Sequence, residues 1–366
     1  MRIGIDARLG GASHAGIGRY VEELLRQLLS MRTPHQWVIF VSQEHQFEWL
    51  KPSQRIKIVV APIRHYTIVE QLVMPAVFLK ENLDLLHVPH FNIPLLYPKK
   101  YVVTIHDLLW HERKDARATT LSPFLHAIKY GAYRYTAETA IRRAAAVCVP
   151  TEHVKQSVAR FTDASKIFVT KEGVAQVYTS YKEKASSTTK EKFAFPYVVY
   201  VGSLYPHKNV SCVLRALEQM KTLHAVIISG RSVFYDAFEA EVTSRGLSER
   251  VHLMGYLPDE HVVELEASSL ALIPPSFSEG FGLSGLESMG VGTPVVASDI
   301  PVFHEVYQDG ALFFDPYRPE DLVKKLLELQ NKKGLRQQLI KNGKQVVAQY
   351  SWKTMAEQTL HMYETV

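Results

Sequence analysis

At 366 residues the chain is long for one hydrophobic core, and two domains are the natural expectation. Hydrophobic residues make up 46% and charged residues 22%, a balance that is ordinary for a soluble globular protein. The formal net charge of +5 is mild: it suits an anionic nucleotide or an anionic membrane face, and it does not require a nucleic-acid partner.

The sequence gives no indication of an oxidising compartment or of a membrane span. Cys148 and Cys212 lie far apart in apolar or helical contexts, and we expect both to be reduced and buried. The chain begins directly on the predicted strand Ile3–Asp6 without a signal-peptide pattern, and no apolar run is long enough to cross a bilayer. These features predict a cytoplasmic protein.

In the first half of the chain, short apolar strands alternate with helical patterns. The predicted strands are Ile3–Asp6, Trp37–Val41, Ile56–Val60, Leu83–Val88, Tyr101–Ile105, Ala145–Val149 and Lys166–Val169. The predicted helices are Ile17–Met31, Thr67–Leu79, Leu121–Arg143 and Glu152–Arg160. Short apolar strands that alternate with helices predict a parallel sheet covered on both faces.

A polar segment without periodicity, residues 179–192, predicts an interdomain linker after a first domain of residues 1–178. The pattern then restarts in a second domain, residues 193–351. Its predicted strands are Tyr197–Val201, Ala225–Ser229, Val251–Met254, Leu270–Pro274, Pro294–Ala297 and Ala311–Phe314. Its predicted helices are Asn209–Met220, Tyr235–Arg245, His261–Ala267, Leu283–Gly290 and Glu320–Gln330. Two doubly wound domains place a ligand cleft between the carboxyl ends of their sheets.

One glycine-rich turn between a strand and a helix carries the strongest functional signal. The turn consists of Glu279, Gly280, Phe281, Gly282 and Leu283, and Glu287 follows in the helix. The two glycines allow close approach of backbone N–H groups to a ligand, and the helix N-terminus favours a phosphate. A carboxylate would repel a phosphate but accepts hydrogen bonds from hydroxyls, so both glutamates suit a sugar nucleotide.

Two glutamates eight residues apart would be a weak signal alone, but here they stand in a longer frame. That frame is Glu-Gly-Phe-Gly-Leu at 279–283 followed by Gly-Thr-Pro-Val-Val-Ala-Ser at 292–298. It resembles the nucleotide-sugar site of the retaining glycosyltransferases of family 4, also called glycosyl transferase group 1. The resemblance covers the whole chain. It implies the GT-B fold, two Rossmann-like domains facing each other across a cleft, with the last helix, residues 352–366, packing back on the first domain.

The resemblance also implies a cationic site for the donor diphosphate. A lysine after the first strand of the second domain, usually accompanied by an arginine, neutralises the leaving diphosphate in this family, and Lys208 is that lysine here. Ser203 and His207 stand where arginines are common, so cationic support is thinner than usual. Arg231, just after the next strand, is a candidate substitute. A solvated lysine at a helix N-terminus would be electrostatically unfavourable.

Four other segments match the family pattern. Gly16, in a glycine loop before the first predicted helix, is expected to approach the donor phosphates and the acceptor, although a plain tight turn fits it equally well. His106, at the end of a predicted strand, is expected near the transferred sugar. Tyr256 and Leu257 are expected to line the nucleobase pocket. Residues 170–174 match the interdomain turn of the family.

The chemistry implied is metal-independent and needs no covalent intermediate. The sequence contains no Asp-x-Asp pair to hold a metal on the diphosphate, and His87 and His90 lack a partner at ligand spacing, so we interpret them as packing residues. No candidate nucleophile has an evident base partner. The resemblance implies retention by front-face attack, in which the leaving phosphate takes the proton of the acceptor. The residues expected to act in catalysis are His106, Lys208 and Glu279.

The sequence thus predicts a GT-B glycosyltransferase that moves a hexose from a nucleotide diphosphate to an acceptor hydroxyl in glycan or polysaccharide assembly. Residues 205–209, with the turn at 279–282, look most like bacterial mannosyl- or rhamnosyl-type enzymes, and favour GDP-mannose as donor. One alternative is a GT-B epimerase acting on UDP-N-acetylglucosamine, whose basic and acidic catalytic set is not visible. Another is a catalytically silent sugar-nucleotide-binding subunit, which the intact glutamate pair and Lys208 argue against.

The stretch from His111 to Arg143 predicts peripheral contact with the cytoplasmic membrane and hence a lipid-linked or growing glycan acceptor. Its basic residues are Arg113, Lys114, Arg117, Lys129, Arg134, Arg142 and Arg143, and they alternate with leucines, isoleucine, phenylalanine and tyrosines. Such a stretch can hold a protein on anionic lipid without insertion. The competing interpretation is an ordinary covering helix with its apolar face on the sheet and its charges in solvent.

Overall fold

The chain folds into two compact units, seen in a computed structural model that describes residues 1–11, 15–112, 123–181 and 193–366. The N-terminal unit comprises Met1–Glu172 and Ser351–Val366, and the C-terminal unit comprises Gly173–Tyr350. The first boundary therefore falls at Glu172 and not at the predicted residue 178, because Ala175 and Tyr178 are buried in the core of the C-terminal unit. Residues 182–192 of the predicted linker lie outside the described residues.

The N-terminal unit is built on a parallel sheet of seven strands. The strands are β1 Arg2–Asp6, β2 Gln36–Val41, β3 Ile56–Val60, β4 Leu85–Val88, β5 Tyr101–Thr104, β6 Ala146–Val149 and β7 Ile167–Val169. Their order across the sheet is β3-β2-β1-β4-β5-β6-β7, and every pair is parallel. The order reverses between β1 and β4, which is the switch point where doubly wound sheets bind ligands.

Helices cover both faces of this sheet. They are α1 Ala15–Ser30, α2 Ile68–Lys80, α3 Leu109–Glu112, α4 Pro123–Arg143, α5 Glu152–Val158 and, from the chain end, the last helix Trp352–Thr365. Strands β4, β5 and β6 are buried along their whole length, which explains their uninterrupted apolar sequences. The last helix is held by a hydrogen bond of 2.5 Å between the Tyr363 hydroxyl and Nδ1 of the buried His87.

The C-terminal unit repeats the plan with a smaller parallel sheet. Its strands are β8 Tyr197–Val201, β9 His224–Ile228, β10 Val251–Gly255, β11 Val295–Ser298 and β12 Ala311–Phe314. The order is β10-β9-β8, then a single residue, Leu272, which bridges to Val199 and to Val295, and then β11-β12. The predicted strand at 270–274 is present as an extended segment hydrogen-bonded on both sides: the N–H of Ile273 donates to the carbonyl of Val199, and the carbonyl of Pro274 accepts from the N–H of Ser298.

Eight helices, among the residues that the structure describes, accompany this second sheet. They are α6 Gln176–Thr179, α7 Ser211–Gln219, α8 Tyr235–Ser244, α9 Asp259–Ala267, α10 Leu283–Val291, α11 Pro301–Tyr307, α12 Pro319–Asn331 and α13 Leu335–Val347. The last helix of the chain is α14. The sequence analysis missed α6, α11 and α13. A proline opens α11 at a first-turn position, where its missing N–H is not needed.

Two general features of the interior bear on function. Cys148 and Cys212 are free and buried, as predicted, and burial raises the pKa of the first thiol to about 12 and of the second to about 11. Neither cysteine is therefore a thiolate near neutral pH. Across the described ranges, no helix is both long enough and apolar enough to cross a membrane.

Candidate functional site

The centre of the candidate site is an ion pair between two residues that the sequence separates by 71 positions. The ammonium of Lys208 donates to both carboxylate oxygens of Glu279, at 2.6 and 2.8 Å. Lys208 ends a short 3₁₀ helix that follows β8, and Glu279 lies in the turn before α10. The hydroxyl of Ser276 donates to the same carboxylate at 2.7 Å. The two predicted catalytic residues of this unit therefore meet at the carboxyl edge of its sheet.

Electrostatics keep Glu279 ionised. Burial by itself would raise the pKa of this carboxyl, but the charge of Lys208, the hydrogen bonds from Lys208 and Ser276, and the nearby His207 lower it below its ordinary value. The carboxylate is therefore an anion at neutral pH, and Lys208 is its counter-ion. An ammonium has three N–H donors, so Lys208 can hold Glu279 and still donate to a ligand oxygen.

A buried asparagine that the sequence analysis did not single out joins the loops around this pair. Asn209 takes a left-handed backbone conformation (φ 54°), and its side-chain amide donates to the carbonyl oxygens of Pro275 at 3.0 Å and Pro316 at 2.9 Å. The N–H of Phe277 donates to the carbonyl of His207 at 2.8 Å. The loops that follow β8, Leu272 and β12 are thus fixed to one another.

Packing against Tyr307 requires glycine at two positions of this segment, Gly282 and Gly285. Gly282 has a φ of +96°, which disfavours other residues, and a Cβ there would lie 2.4 Å from the hydroxyl of Tyr307. A Cβ at Gly285 would lie 2.3 Å from the same ring. The hydroxyl of Tyr307 donates to the carbonyl oxygen of Gly282 at 2.6 Å. Tyr307 on α11, which the sequence analysis missed, therefore shapes the turn from beneath.

The second glutamate is buried on α10. Glu287 lies in the second turn of the helix and is buried. Burial raises the pKa of Tyr307 well above its ordinary value, and the negative charges of Glu279 and Glu287 raise it further. Phe281 is also buried, with its ring 5.7 Å from that of Tyr350, so it offers a ligand its backbone and not its side chain. Gly280 is buried and Leu283 is half-buried.

The remaining predicted donor-site residues lie at the same edge of the C-terminal sheet, because each follows the carboxyl end of a parallel strand. Ser203 follows β8, and its carbonyl accepts from the Tyr200 hydroxyl. Arg231 follows β9 and is exposed, with its guanidinium 5.3 Å from the ring centre of Tyr235. Tyr256 and Leu257 follow β10; the tyrosine is largely exposed and the leucine packs on the core.

Two of the predicted site residues, His106 and Gly16, belong to the N-terminal unit. His106 follows β5, with Nε2 3.2 Å from the carbonyl oxygen of Pro89 and Nδ1 3.4 Å from a carboxylate oxygen of Glu172. The sequence analysis placed Glu172 in the interdomain turn and missed this pairing. Gly16 is exposed in the first turn of α1, where a Cβ would meet nothing within 4 Å.

The other histidines of this edge are structural. His87 and His90 are buried, and burial lowers the pKa of each to about 3, with the charge of His106 acting in the same direction. His87 bonds Thr104 through Nε2 at 2.8 Å as well as Tyr363 through Nδ1. Within the described ranges, no group of three or more His, Cys, Asp or Glu side chains is arranged to hold a metal ion.

Comparison with known proteins defines the class. Residues 182–346 match the family described as Glycosyl transferases group 1, and residues 14–175 match Glycosyltransferase Family 4. The two matches cover both units. The chain therefore belongs to the family 4 glycosyltransferases, which have the GT-B fold, and the prediction of family and fold is confirmed.

Curated relatives narrow the resemblance to mannosyltransferases. The chain is 28% identical over 236 residues to the O-antigen chain mannosyltransferase RfbU of Salmonella typhimurium, a match that covers 64% of this chain and 62% of that protein. It is 31% identical over 173 residues to the O-antigen chain mannosyltransferase B of Escherichia coli, covering 46% of this chain and 45% of that one. The matches thus span less than two thirds of the length of either relative.

Solved structures show the same fold over the full chain. The sucrose-phosphate synthase of Thermosynechococcus elongatus matches with a TM-score of 0.81 at 17% identity, covering 100% of this chain and 98% of that one. Anabaena HepE in complex with UDP and glucose matches with a TM-score of 0.78 at 18% identity, covering all of both chains. At these identities the likeness establishes the fold.

Proposed function

We propose that this protein is a retaining hexosyltransferase that moves mannose from GDP-mannose to a hydroxyl of a glycan or lipid-linked acceptor. The observation that carries the proposal is the Lys208–Glu279 pair beside the N-terminus of α10, at the carboxyl edge of the C-terminal sheet. These three groups lie in one place and suit a sugar nucleotide. The cation and the helix N-terminus suit its phosphates, and the carboxylate suits its hydroxyls.

Lys208 and α10 receive the diphosphate. The first N–H groups of a helix lack intrahelical partners and carry partial positive charge, so α10 favours phosphate oxygens just after Gly282. As the bond between the sugar C1 and the phosphate oxygen breaks, negative charge grows on the leaving phosphate. Lys208 stabilises that charge more in the transition state than in the ground state, which accelerates the reaction.

The proposed reaction needs no nucleophile from the protein. The acceptor oxygen forms its bond to C1 on the face that the phosphate leaves, and the leaving phosphate oxygen takes the proton of the acceptor hydroxyl. The products are the glycoside, with its anomeric configuration retained, and the nucleoside diphosphate. The sequence has no Asp-x-Asp pair, so we assign the neutralisation of the diphosphate to Lys208 and α10 and propose that no metal is required.

The glutamates and His106 orient the donor in this proposal. Glu287, in the second turn of α10, is assigned to the ribose hydroxyls, and Glu279, beside the diphosphate, to hydroxyls of the hexose. A carboxylate can accept two hydrogen bonds, which matches a vicinal diol. His106 is assigned to the transferred sugar. Glu172 then acts through His106 as a positioning residue, because it holds the imidazole from behind.

The choice of mannose is supported by the mannosyltransferase relatives, and the choice of GDP by the residues at 205–209. The test begins with thermal unfolding in the presence of GDP-, UDP-, dTDP- and ADP-sugars, since a ligand that binds only the folded state stabilises it more the further its concentration exceeds its Kd. Turnover with the best donor follows, and NMR of the product reads the anomeric configuration. Stabilisation by UDP-sugars and not by GDP-mannose overturns the donor assignment.

The same assay distinguishes a glycosyltransferase from the two alternative functions, an epimerase and a non-catalytic binding subunit. An epimerase would convert UDP-N-acetylglucosamine without an acceptor and without transferring its sugar. A silent binding subunit would be stabilised by a sugar nucleotide and release no nucleoside diphosphate with any acceptor. Glycoside formation together with stoichiometric nucleoside diphosphate is the result expected here. Growing glycans and lipid-linked saccharides are the acceptors to test, in keeping with a protein that works at the cytoplasmic face of a membrane.

A further inference from the structure

The solvent-facing side of α2 is apolar over three turns. Ile68 is 79% exposed and Leu72 is 62% exposed, and Val69 and Val73 beside them are also exposed. Ala76 continues the same face, and the first exposed charge of the helix is Lys80 at its last position. A covering helix normally presents polar residues to water. A contiguous exposed apolar patch of this kind marks an interaction surface.

The opposite face of α2 explains why these residues cannot turn inward. Glu70 is fully buried, where its carboxylate accepts from Arg8 at 2.9 Å and from the amide of Asn92 at 2.5 Å. Met74 and Phe78, on the same side, are buried in the core. Rotation of the helix to hide its apolar face would expose this core and break a buried ion pair. The rotation of α2, and so the outward direction of its aliphatic face, is fixed.

The apolar surface continues onto the loop after β4. The N–H of Leu95 donates to the side-chain oxygen of Gln71 on α2 at 2.9 Å, which fixes this loop beside the helix. The next residue, Leu96, is exposed. Tyr66, just before α2, is exposed as well, and its ring lies 6.1 Å from that of Phe91 at the start of the same loop. We call the exposed side chains of 66–76 and Leu96 the α2 surface.

The charges around the α2 surface are basic. The exposed basic residues on α2, on its preceding loop and on the loop after β4 are Arg64, Lys80, Lys99 and Lys100, and Arg142 and Arg143 are exposed at the end of α4, where Arg142 pairs with Glu138. The guanidinium of Arg143 donates to the carbonyl oxygens of Leu95 and Tyr97, on either side of Leu96. Between residues 61 and 80 and between 91 and 100 the only acid is the buried Glu70. An apolar centre with a basic rim is complementary to an anionic lipid surface.

We propose that the α2 surface docks this protein on an anionic membrane, with the aliphatic side chains entering the interface and the rim facing lipid headgroups. A second copy of the chain fits less well, because a two-fold contact would bring two basic rims together. Of the basic stretch expected between His111 and Arg143, this docking uses the end of α4 at Arg143; Arg113, Lys114 and Arg117 lie outside the described residues.

The position of α2 gives membrane docking a role in acceptor delivery, and that role rests on the proposed function. Glu70, in the first turn of α2, contacts Arg8 and Asn92, which follow the carboxyl ends of β1 and β4. The helix therefore starts at the carboxyl edge of the N-terminal sheet, the same edge that carries His106. A membrane held by α2 would present a lipid-linked acceptor to that edge.

Co-sedimentation of the full chain with vesicles tests the proposal. We expect binding to phosphatidylcholine vesicles that contain phosphatidylglycerol, weaker binding at high salt, and little binding to phosphatidylcholine alone. The double variant Ile68→Ser/Leu72→Ser should lower partitioning by about tenfold or more, since each side chain loses its apolar transfer into lipid. The matched control is Leu327→Ser, an exposed leucine on α12, which should bind like the parent.

Three results would overturn the proposal. The first is no sedimentation with anionic vesicles at low salt, and the second is equal binding by the double variant and the parent. The third is a dimer in sedimentation velocity that the double variant dissociates, which assigns the surface to a second copy. Unchanged thermal unfolding of the variant shows that it is folded. Calorimetric titration measures the affinity for free GDP independently of vesicle binding. Failure of the docking proposal can therefore be distinguished from failure of the proposed function.

Discussion

Lys208 and Glu279 neutralise each other in a hydrogen-bonded pair at 2.6 and 2.8 Å, beside a helix N-terminus that favours anions. The pair gives the site an ammonium that is held in place before a ligand arrives. A diphosphate that binds there shares this ammonium with Glu279. In the proposed mechanism Lys208 carries more of the leaving-group charge than usual, because Ser203 and His207 stand where the family resemblance places arginines.

Lys208→Ala should lower turnover more than it lowers donor affinity. The leaving phosphate gains negative charge in the transition state, and removal of one preorganised electrostatic partner costs about 10²–10³ in kcat. Steady-state kinetics that separate kcat from KM test this. Arg231→Ala is the control, since Arg231 is the other candidate cation of this edge. Turnover that is normal in Lys208→Ala and lost in Arg231→Ala would transfer the role to the arginine.

Glu287→Ala should weaken binding of the free nucleotide. The carboxylate is buried, and a ribose hydroxyl left without its acceptor in a buried site costs about 1–3 kcal/mol. Isothermal titration calorimetry with GDP measures the loss. Glu287→Gln keeps the shape and one acceptor oxygen, so it should fall between parent and alanine variant. Unchanged affinity in both variants would show that the ribose lies elsewhere.

The sequence predicted most of the fold because its signals are local. Strands such as β5 and β6 are short, wholly buried and continuously apolar, and the motif at 279–283 marks one turn between a strand and a helix. What it could not predict depends on contacts between distant segments. Nothing near Asn209 indicates that its amide joins Pro275 to Pro316, and nothing near Gly282 indicates that Tyr307 packs beneath it.

The pairing of His106 with Glu172 illustrates the same limit. The sequence analysis had predicted His106 as a site residue and had placed Glu172 in an interdomain turn. Only the order of the sheet, with β5, β6 and β7 adjacent, brings the ends of β5 and β7 to the same edge. The helices α11 and α13 were missed for other reasons. Helix α11 has only 7 residues, too few to show a clear period, and the apolar spacing of α13 (Leu335, Leu339, Val346 and Val347) is an amphipathic signal that the sequence analysis overlooked.

Glu279→Gln should change how stability depends on pH. The pKa of Glu279 is lowered in the folded state, so its ionisation stabilises the fold above the ordinary carboxyl value of 4.5 and this contribution is lost as pH falls below it. We expect the variant to be less stable than the parent by about 1–3 kcal/mol near pH 7, with the difference shrinking below pH 4.5. Urea unfolding at pH 7 and pH 3.5 measures it. A difference that stays constant or grows toward acid would contradict the ion-pair account.

Chelation should leave transferase activity largely intact. The reason lies in the sequence, which has no Asp-x-Asp pair, and in the ammonium and helix N-terminus that we assign to the diphosphate. Activity measured after dialysis against EDTA, with and without added Mg²⁺ or Mn²⁺, gives the answer. A complete loss on chelation that either ion restores would exclude the metal-independent mechanism.

Asn209 should act on the site through the loops that it joins. Its amide donates to two carbonyl oxygens, and its φ of 54° is one that few residues adopt. Asn209→Gly keeps the backbone conformation and loses two hydrogen bonds, which we expect to cost about 1–3 kcal/mol of stability. Asn209→Ala loses the same bonds and adds about 1 kcal/mol of backbone strain. Asn209→Asp places a carboxylate against two carbonyl oxygens and should be the worst of the three. Because the joined loop carries Glu279, all three variants should lower kcat in the order of their instability, even at temperatures where each is fully folded. Urea unfolding paired with kinetics at 15 °C tests this, and a stable Asn209→Ala variant with parental kcat would show that the loops hold their positions without the asparagine.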